Sequence, residues 1–470
     1  MTFDRRLFLK GAGALGLSTI GTSLTSFSVA QSADTTGYKA LVCVFLLGGM
    51  DGNDTLLPFD DPSYERYGQI RESLLNLYAA QPGGSSRDQS RLLELAPANA
   101  ADFGSRQFAL PEQLSGIKNL FDNGNAAIVA NVGPLIEPVD AQQFSLGTAD
   151  VPARLFSHND QQSTWQSSSP EGAQLGWGGL FGDAVFNAGA ASEPDFVTMT
   201  SLGNEVFLTG NVIQPFNLGV AGPVEVSALE FFENAAADGG DAEAARLIRD
   251  HFRAMDFNRS NLFERDMASA MQGAIDINES FNEALEMGIP LATQFPGSFL
   301  GAQLRSVAET ISIRNTLFVN RQVFFVAIGG FDTHDNQADD LPGLHTEIDQ
   351  AVTAFYNAMV ELGTVDEVTL FTASDFGRTL AVNGDGTDHG WGNNHFVVGG
   401  AVNGGQIYGQ VPEYDFGHSQ DAGNGRFIPT LAVDEYAATL GRWFGLTEEE
   451  LRAALPNLVN FSGRSPLSFV

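Results

Sequence analysis

The stretches VFFVAIGGFDTHDNQ, residues 323–337, and VTLFTASDFGR, residues 368–378, decide how this chain is built. Each opens with an unbroken β-branched and apolar run, the pattern of a strand covered on both faces. Each then breaks into glycine and acidic residues. Between them Leu344, Ile348, Val352, Phe355, Met359 and Leu362 recur at steps of three and four, one stripe along a helix, with Gly363 at its expected end. A strand–helix–strand unit of this kind places its two strands parallel. Asp332 with His334, and Asp375, are therefore expected on one sheet edge, the carboxyl edge, where open α/β sheets hold their chemistry. His345 falls beside the helical stripe and reads as a packing or capping residue.

Working outward, Ala40–Leu47 is a third buried run, and it delivers Asp51 through Gly48-Gly49-Met50. Ten residues beyond Arg378 come Asp388-His389-Gly390-Trp391-Gly392, followed by the apolar run Phe396–Val398. Ala126–Val132 is another short strand. Ser157-His158-Asn159-Asp160 crowds hydroxyl, imidazole and carboxylate groups at a helix start, where an ordinary N-cap is the competing reading. Residues 226–315 turn helical and are expected to form an insertion, with His251 a structural residue in it. Helices are expected at Val433–Phe444 and Thr447–Leu455. The domain expectation is a single α/β unit over residues 38–465.

Composition narrows the function. The chain has 470 residues, a formal net charge of -33 and 43% hydrophobic content, enough for a large core. So acidic a chain lacks the basic footprint that a nucleic-acid partner needs. Arg5-Arg6 precedes a short glycine-studded apolar segment, the pattern of a twin-arginine export signal over residues 1–30, with export to the periplasm or medium expected. That segment is too short and too weakly apolar for a confident anchor, and no stable membrane span is expected once it is removed. Cys43 is the only cysteine and lies within a strand run, so an intrachain disulfide is excluded, cysteine metal sites are not expected, and a buried apolar role is expected.

Asp51, Asp332, His334, Asp375 and His389 all follow strand ends. Carboxylate and imidazole are the ligands of Zn²⁺, Mn²⁺, Mg²⁺ or Ca²⁺, and several carboxylates brought together without a cation would cost several kcal/mol. One or two divalent ions are therefore expected, with Arg378 as the clamp for an anionic ester substrate.

With these residues in view, the chain resembles the domain-of-unknown-function 1501 family of exported bacterial proteins. The motifs are GGMDGND (48–54), SHNDQQ (157–162), GGFDTHDNQ (329–337), SDFGRT (374–379), GTDHGWG (386–392) and RFIPTLAVDEYAATLGRWFG (426–445). Asp54 stands where the family typically has Asn. The family in turn is similar to the alkaline phosphatase and sulfatase superfamily. That resemblance implies an alkaline-phosphatase-like central, mostly parallel sheet flanked by helices, and a two-metal site holding Asp51, Asp332, Asp375 and His389. Phe376 stands where the superfamily has a histidine ligand, and His334 follows Asp332 more closely than is usual; His334 and His395 are the candidates to complete the second metal. The resemblance also implies a Ser or Thr nucleophile at a helix start, here Ser157, with His158 as ligand or base. The function expected is an exported metal-dependent hydrolase of phosphate or sulfate esters; the alternative is a non-catalytic exported binding protein with a degenerate metal site and an unidentified partner.

Overall fold

Eight residues, Lys39–Leu46, form the central strand, and all but Lys39 are buried. Their apolar side chains can be satisfied only if both faces are covered, so helices pack on each side. The computed structural model describes residues 32–81, 85–203, 205–220 and 261–470, together with Glu243, Arg246 and Leu247. The export signal expected over 1–30 lies outside the described residues, as does most of 226–260 of the expected insertion.

The central strand pairs in parallel with Arg321–Ile328 on one side and Val368–Ser374 on the other. Leu46 is in register with both Ile328 and Ser374, so the three strands end at one level. Beyond Arg321–Ile328 lie Thr198–Thr200 and Phe216–Asn217; beyond Val368–Ser374 lie Asn393–Val398, Ala126–Gly133 and Ile407–Gly409, with Leu431–Ala432 also pairing with Ala126–Gly133. Of these nine strands only Asn393–Val398 runs antiparallel to its neighbours. The sheet is therefore mostly parallel, as expected. Because Asn393–Val398 begins at the carboxyl edge, the residues just before it, His389 among them, stand at that edge too.

The helix joining Arg321–Ile328 to Val368–Ser374 spans Gln337–Glu361 and buries Ile348, Val352, Phe355 and Met359 from the predicted stripe. Gly363 follows it with φ +65°, the left-handed closure that glycine allows. His345 is fully buried on this helix, with Nε2 3.1 Å from Thr55 Oγ1. Within the expected insertion, Leu262–Glu286 and Phe299–Ser312 are helices. The second buries Leu300, Leu304, Val307 and Ile311. Cys43 is buried and free, as its strand position implied. Among the described residues no helix is long and apolar enough to cross a membrane.

Candidate metal centre

Short glycine-bearing loops at the carboxyl edge deliver the site. Gly48 has φ +115°, and a Cβ there would strike the Asp332 amide, so the loops after the first and the Arg321–Ile328 strands touch backbone to backbone. Arg378–Val382 and Thr387–His389 form an antiparallel hairpin, which pairs Arg378 with His389. His158 opens the helix His158–Ser167. Ligand atoms of His158, Asp332 and His389 all lie within 4.8 Å of one another. His158 Nε2 is 3.4 Å from Asp332 Oδ2, and His389 Nε2 is 3.2 Å from Asp332 Oδ1. His334 Nε2 joins at 2.8 Å from His389 Nε2 and 3.3 Å from Asp332 Oδ1.

The hydrogen-bond partners behind the rings settle where their lone pairs point. His158 Nδ1 is 2.7 Å from Asp375 Oδ2, and His389 Nδ1 is 2.7 Å from the Phe156 carbonyl oxygen. Both partners only accept, so each Nδ1 carries the proton, and in the neutral rings each Nε2 presents a lone pair to the Asp332 carboxylate. Acceptor faces acceptor unless a cation or a proton sits between them. The donor set therefore fits a metal ion, with its histidines oriented from behind as metal-binding imidazoles are.

Burial alone would raise the Asp332 carboxyl, but the hydrogen bond and charge of Arg378, aided by His389 and His158, bring it down to about 2. The Asp375 hydrogen bond raises His158 despite its partial burial. Burial, helped by the nearby Arg378 charge, lowers His389.

Several residues expected in this shell stand elsewhere. The Asp51 carboxylate is fully buried and saturated: Arg71 Nη1 and Nη2 donate to it at 2.6 and 3.2 Å, Asn53 N at 3.0 Å and Gln337 Nε2 at 2.7 Å. The Arg71 guanidinium neutralises it. Asp375 is also buried, accepting from Gly48 N at 3.1 Å, Gln162 Nε2 at 2.8 Å and His158; it lies behind a histidine of the cluster. His395 sits inside its strand, 3.3 Å from Thr372 Oγ1 and edge-on to Trp165, and burial lowers it to about 3, leaving a neutral core imidazole. Arg378, expected to clamp an anion, is 1% exposed. Its Nε donates to Gly49 O at 2.9 Å, its Nη1 to Thr387 O at 3.0 Å, and its Nη2 to Gly48 O, Phe331 O and Asp332 Oδ1. It fastens three loops and has little left for a ligand. Ser157 is the N-cap residue without a side-chain capping bond; its hydroxyl donates to Asp160 Oδ2 at 2.9 Å. Phe376 forms a wall, its ring centroid 4.9 Å from that of His158 and 4.4 Å from that of His389.

Sequence reasoning missed Arg71, Gln337, Gln162 and the Phe156 carbonyl. For Gln162 a signal existed: it lies four residues after His158, on the same helix face, so both reach Asp375.

The carboxyl edge of this mostly parallel α/β sheet gathers three imidazoles and one carboxylate, a donor set that fits a cation. The chain belongs to the family described as protein of unknown function (DUF1501), which it matches over residues 38–455. No curated protein matches it. Among solved structures it is similar to Ps i-CgsB in complex with k-i-k-neocarrahexaose, at 9% identity and TM-score 0.36 over 92% of this chain and 78% of that one. It is also similar to PsFucS1 sulfatase from Pseudoalteromonas sp., at 10% identity and TM-score 0.37 over 88% and 68% of the chains. A third is the lipoteichoic acid synthase LtaP from Listeria monocytogenes, at 9% identity and TM-score 0.26 over 80% and 67%. Likeness at this level bears on neither ligand nor reaction.

Proposed function

We propose that this chain is an exported metal-dependent hydrolase of phosphate or sulfate esters, working at one cation site held by His158, Asp332 and His389 with His334 at its edge. The observation that carries the reading is the pair of imidazoles, each tied through Nδ1 and each aiming Nε2 at one ionised carboxylate. So nitrogen-rich a donor set favours Zn²⁺ or Mn²⁺ over Mg²⁺ or Ca²⁺, which take oxygen ligands. One carboxylate and neutral imidazoles leave a divalent centre with net positive charge, which suits an anionic ester. When bound, the ion supplies Lewis acidity to a phosphoryl or sulfuryl oxygen. The protein's part is positional: Asp375 and the Phe156 carbonyl hold the two rings, while Arg378 holds Asp332 and the loops around it. Ser157, free of capping duty and adjacent to His158, is the candidate nucleophile, and Asp160 already accepts its hydrogen. Export by the twin-arginine route rests on Arg5-Arg6 and the segment behind them.

The second reading, a non-catalytic exported binding protein, is favoured by Phe376 in the wall between two histidines and by an Arg378 saturated with backbone carbonyls. Metal analysis with aryl phosphate and aryl sulfate assays separates the two. The hydrolase reading expects about one equivalent of Zn²⁺ or Mn²⁺, turnover of one ester class, and loss of turnover with retained metal in Ser157→Ala. Metal without turnover on either ester supports the binding protein; a metal-free chain removes the cation site from both.

A further inference from the structure

We propose that Arg426 is the residue that recognises the anionic group of the substrate, an assignment that rests on the hydrolase reading above. In a chain of net charge -33, an anion approaching the centre needs a local cation. Arg378 is buried and saturated. Arg154 is paired with Asp160 at 3.2 Å. Arg426 differs from both: no ion pair among the described residues includes it, and it is half-buried. Its Nε donates to the His389 carbonyl at 3.0 Å and its Nη1 reaches Gly423 O at 3.5 Å, while Nη2 makes no hydrogen bond to the described protein.

Its position is fixed by the centre itself. The guanidinium carbon lies 5.4 Å from the centroid of the Phe156 ring, and the Phe156 carbonyl is the group that holds His389 Nδ1. Arg426 therefore touches both residues of one hydrogen bond that orients the cluster. Phe156 and Arg154 have φ +71° and +52°, a left-handed conformation that is uncommon for bulky side chains and is kept where the surroundings over-determine it. Here it lets one residue turn its carbonyl to His389 and its ring to Arg426. The segment carrying Arg426 is pinned as well, with Gly392 N donating to Phe427 O at 2.8 Å. A planar fork with open N–H groups, held between an aromatic platform and the backbone carbonyl of His389, matches the oxygens of a phosphate or sulfate group.

The test measures binding of inorganic phosphate and inorganic sulfate by calorimetry, with metal content and melting temperature determined on the same preparations. For wild type we expect binding of at least one of the two. Arg426→Gln should weaken it by about tenfold or more, as loss of a charge-assisted bidentate contact does, with metal content unchanged. Arg426→Lys should give a smaller loss, because a point charge does not reproduce the fork, and it serves as the deciding variant if the Gln form does not fold. Equal affinity in wild type and the folded variants overturns the proposal, as does a wild type that binds neither anion. If the wild type holds no metal but binds an anion that Arg426→Gln loses, the assignment stands while the metal-centre reading falls.

Discussion

His158 is held from behind by a buried carboxylate that serves no other ring. Asp375→Asn keeps the size of that partner but removes its charge, so the imidazole loses part of its orientation and basicity. The expected outcome is a metal affinity lower by about 10- to 100-fold, measured by competition with a chromogenic chelator, with the fold intact. The contrast with Asp51 shows what residue patterns convey. Both aspartates follow a buried strand on the carboxyl edge, and nothing local separates the one that holds His158 from the one that is sealed off. What separates them is Arg71, twenty residues after Asp51, in a stretch without recognisable chemistry. The histidines divide in the same way. His389 was legible because it lies in a glycine-bearing polar stretch just ahead of the apolar run Phe396–Val398, whereas His395 lies inside a strand where alternate side chains face the core.

Between elements, the Asp51–Arg71 ion pair joins the loop after the central strand to the junction of the helices Asp61–Ile70 and Glu72–Ala80, with both side chains fully buried. Arg71→Ala would strand the Asp51 carboxylate among buried neighbours. A loss of about 3–5 kcal/mol in urea unfolding is expected. Asp434 gives the helix Val433–Phe444 a pH dependence of its own. Burial pushes its carboxyl up to about 6, against the hydrogen bond from Asn457 N. A carboxyl raised in the folded state favours folding while protonated, and that contribution is lost as pH rises through the folded value. Asp434→Asn should therefore gain stability relative to wild type between pH 4.5 and 7.5, by about 2 kcal/mol in paired urea titrations; a difference that does not change with pH would rule Asp434 out as the source. At this scale the sequence was most informative where apolar runs were longest. The Arg321–Ser374 unit was fully legible, while the Arg378–His389 hairpin was not, because its strands are short and polar and its pairing depends on the loops Arg378 fastens.

Across the whole molecule, 57 acidic residues against 24 lysines and arginines make the surface self-repelling. Raising NaCl from about 0.02 to about 0.3 M shortens the reach of that repulsion below ~10 Å, and the melting temperature should rise by a few degrees in differential scanning calorimetry; a flat response would mean the charges are already locally compensated. The parallel strand–helix–strand unit was legible from its apolar runs, because those strands are buried on both faces, while the mostly parallel sheet as a whole came from the family resemblance. The number of ions was not, since it depends on which acidic groups find an arginine partner.

His158, Asp332 and His389 come from a helix start, the end of a parallel strand and a hairpin far apart along the chain. No local fragment can assemble them, so uptake of an ion there would report that synthesis has passed residue 389 and that the sheet has closed. Ion uptake by such a chain would thus serve as a readout of its maturity.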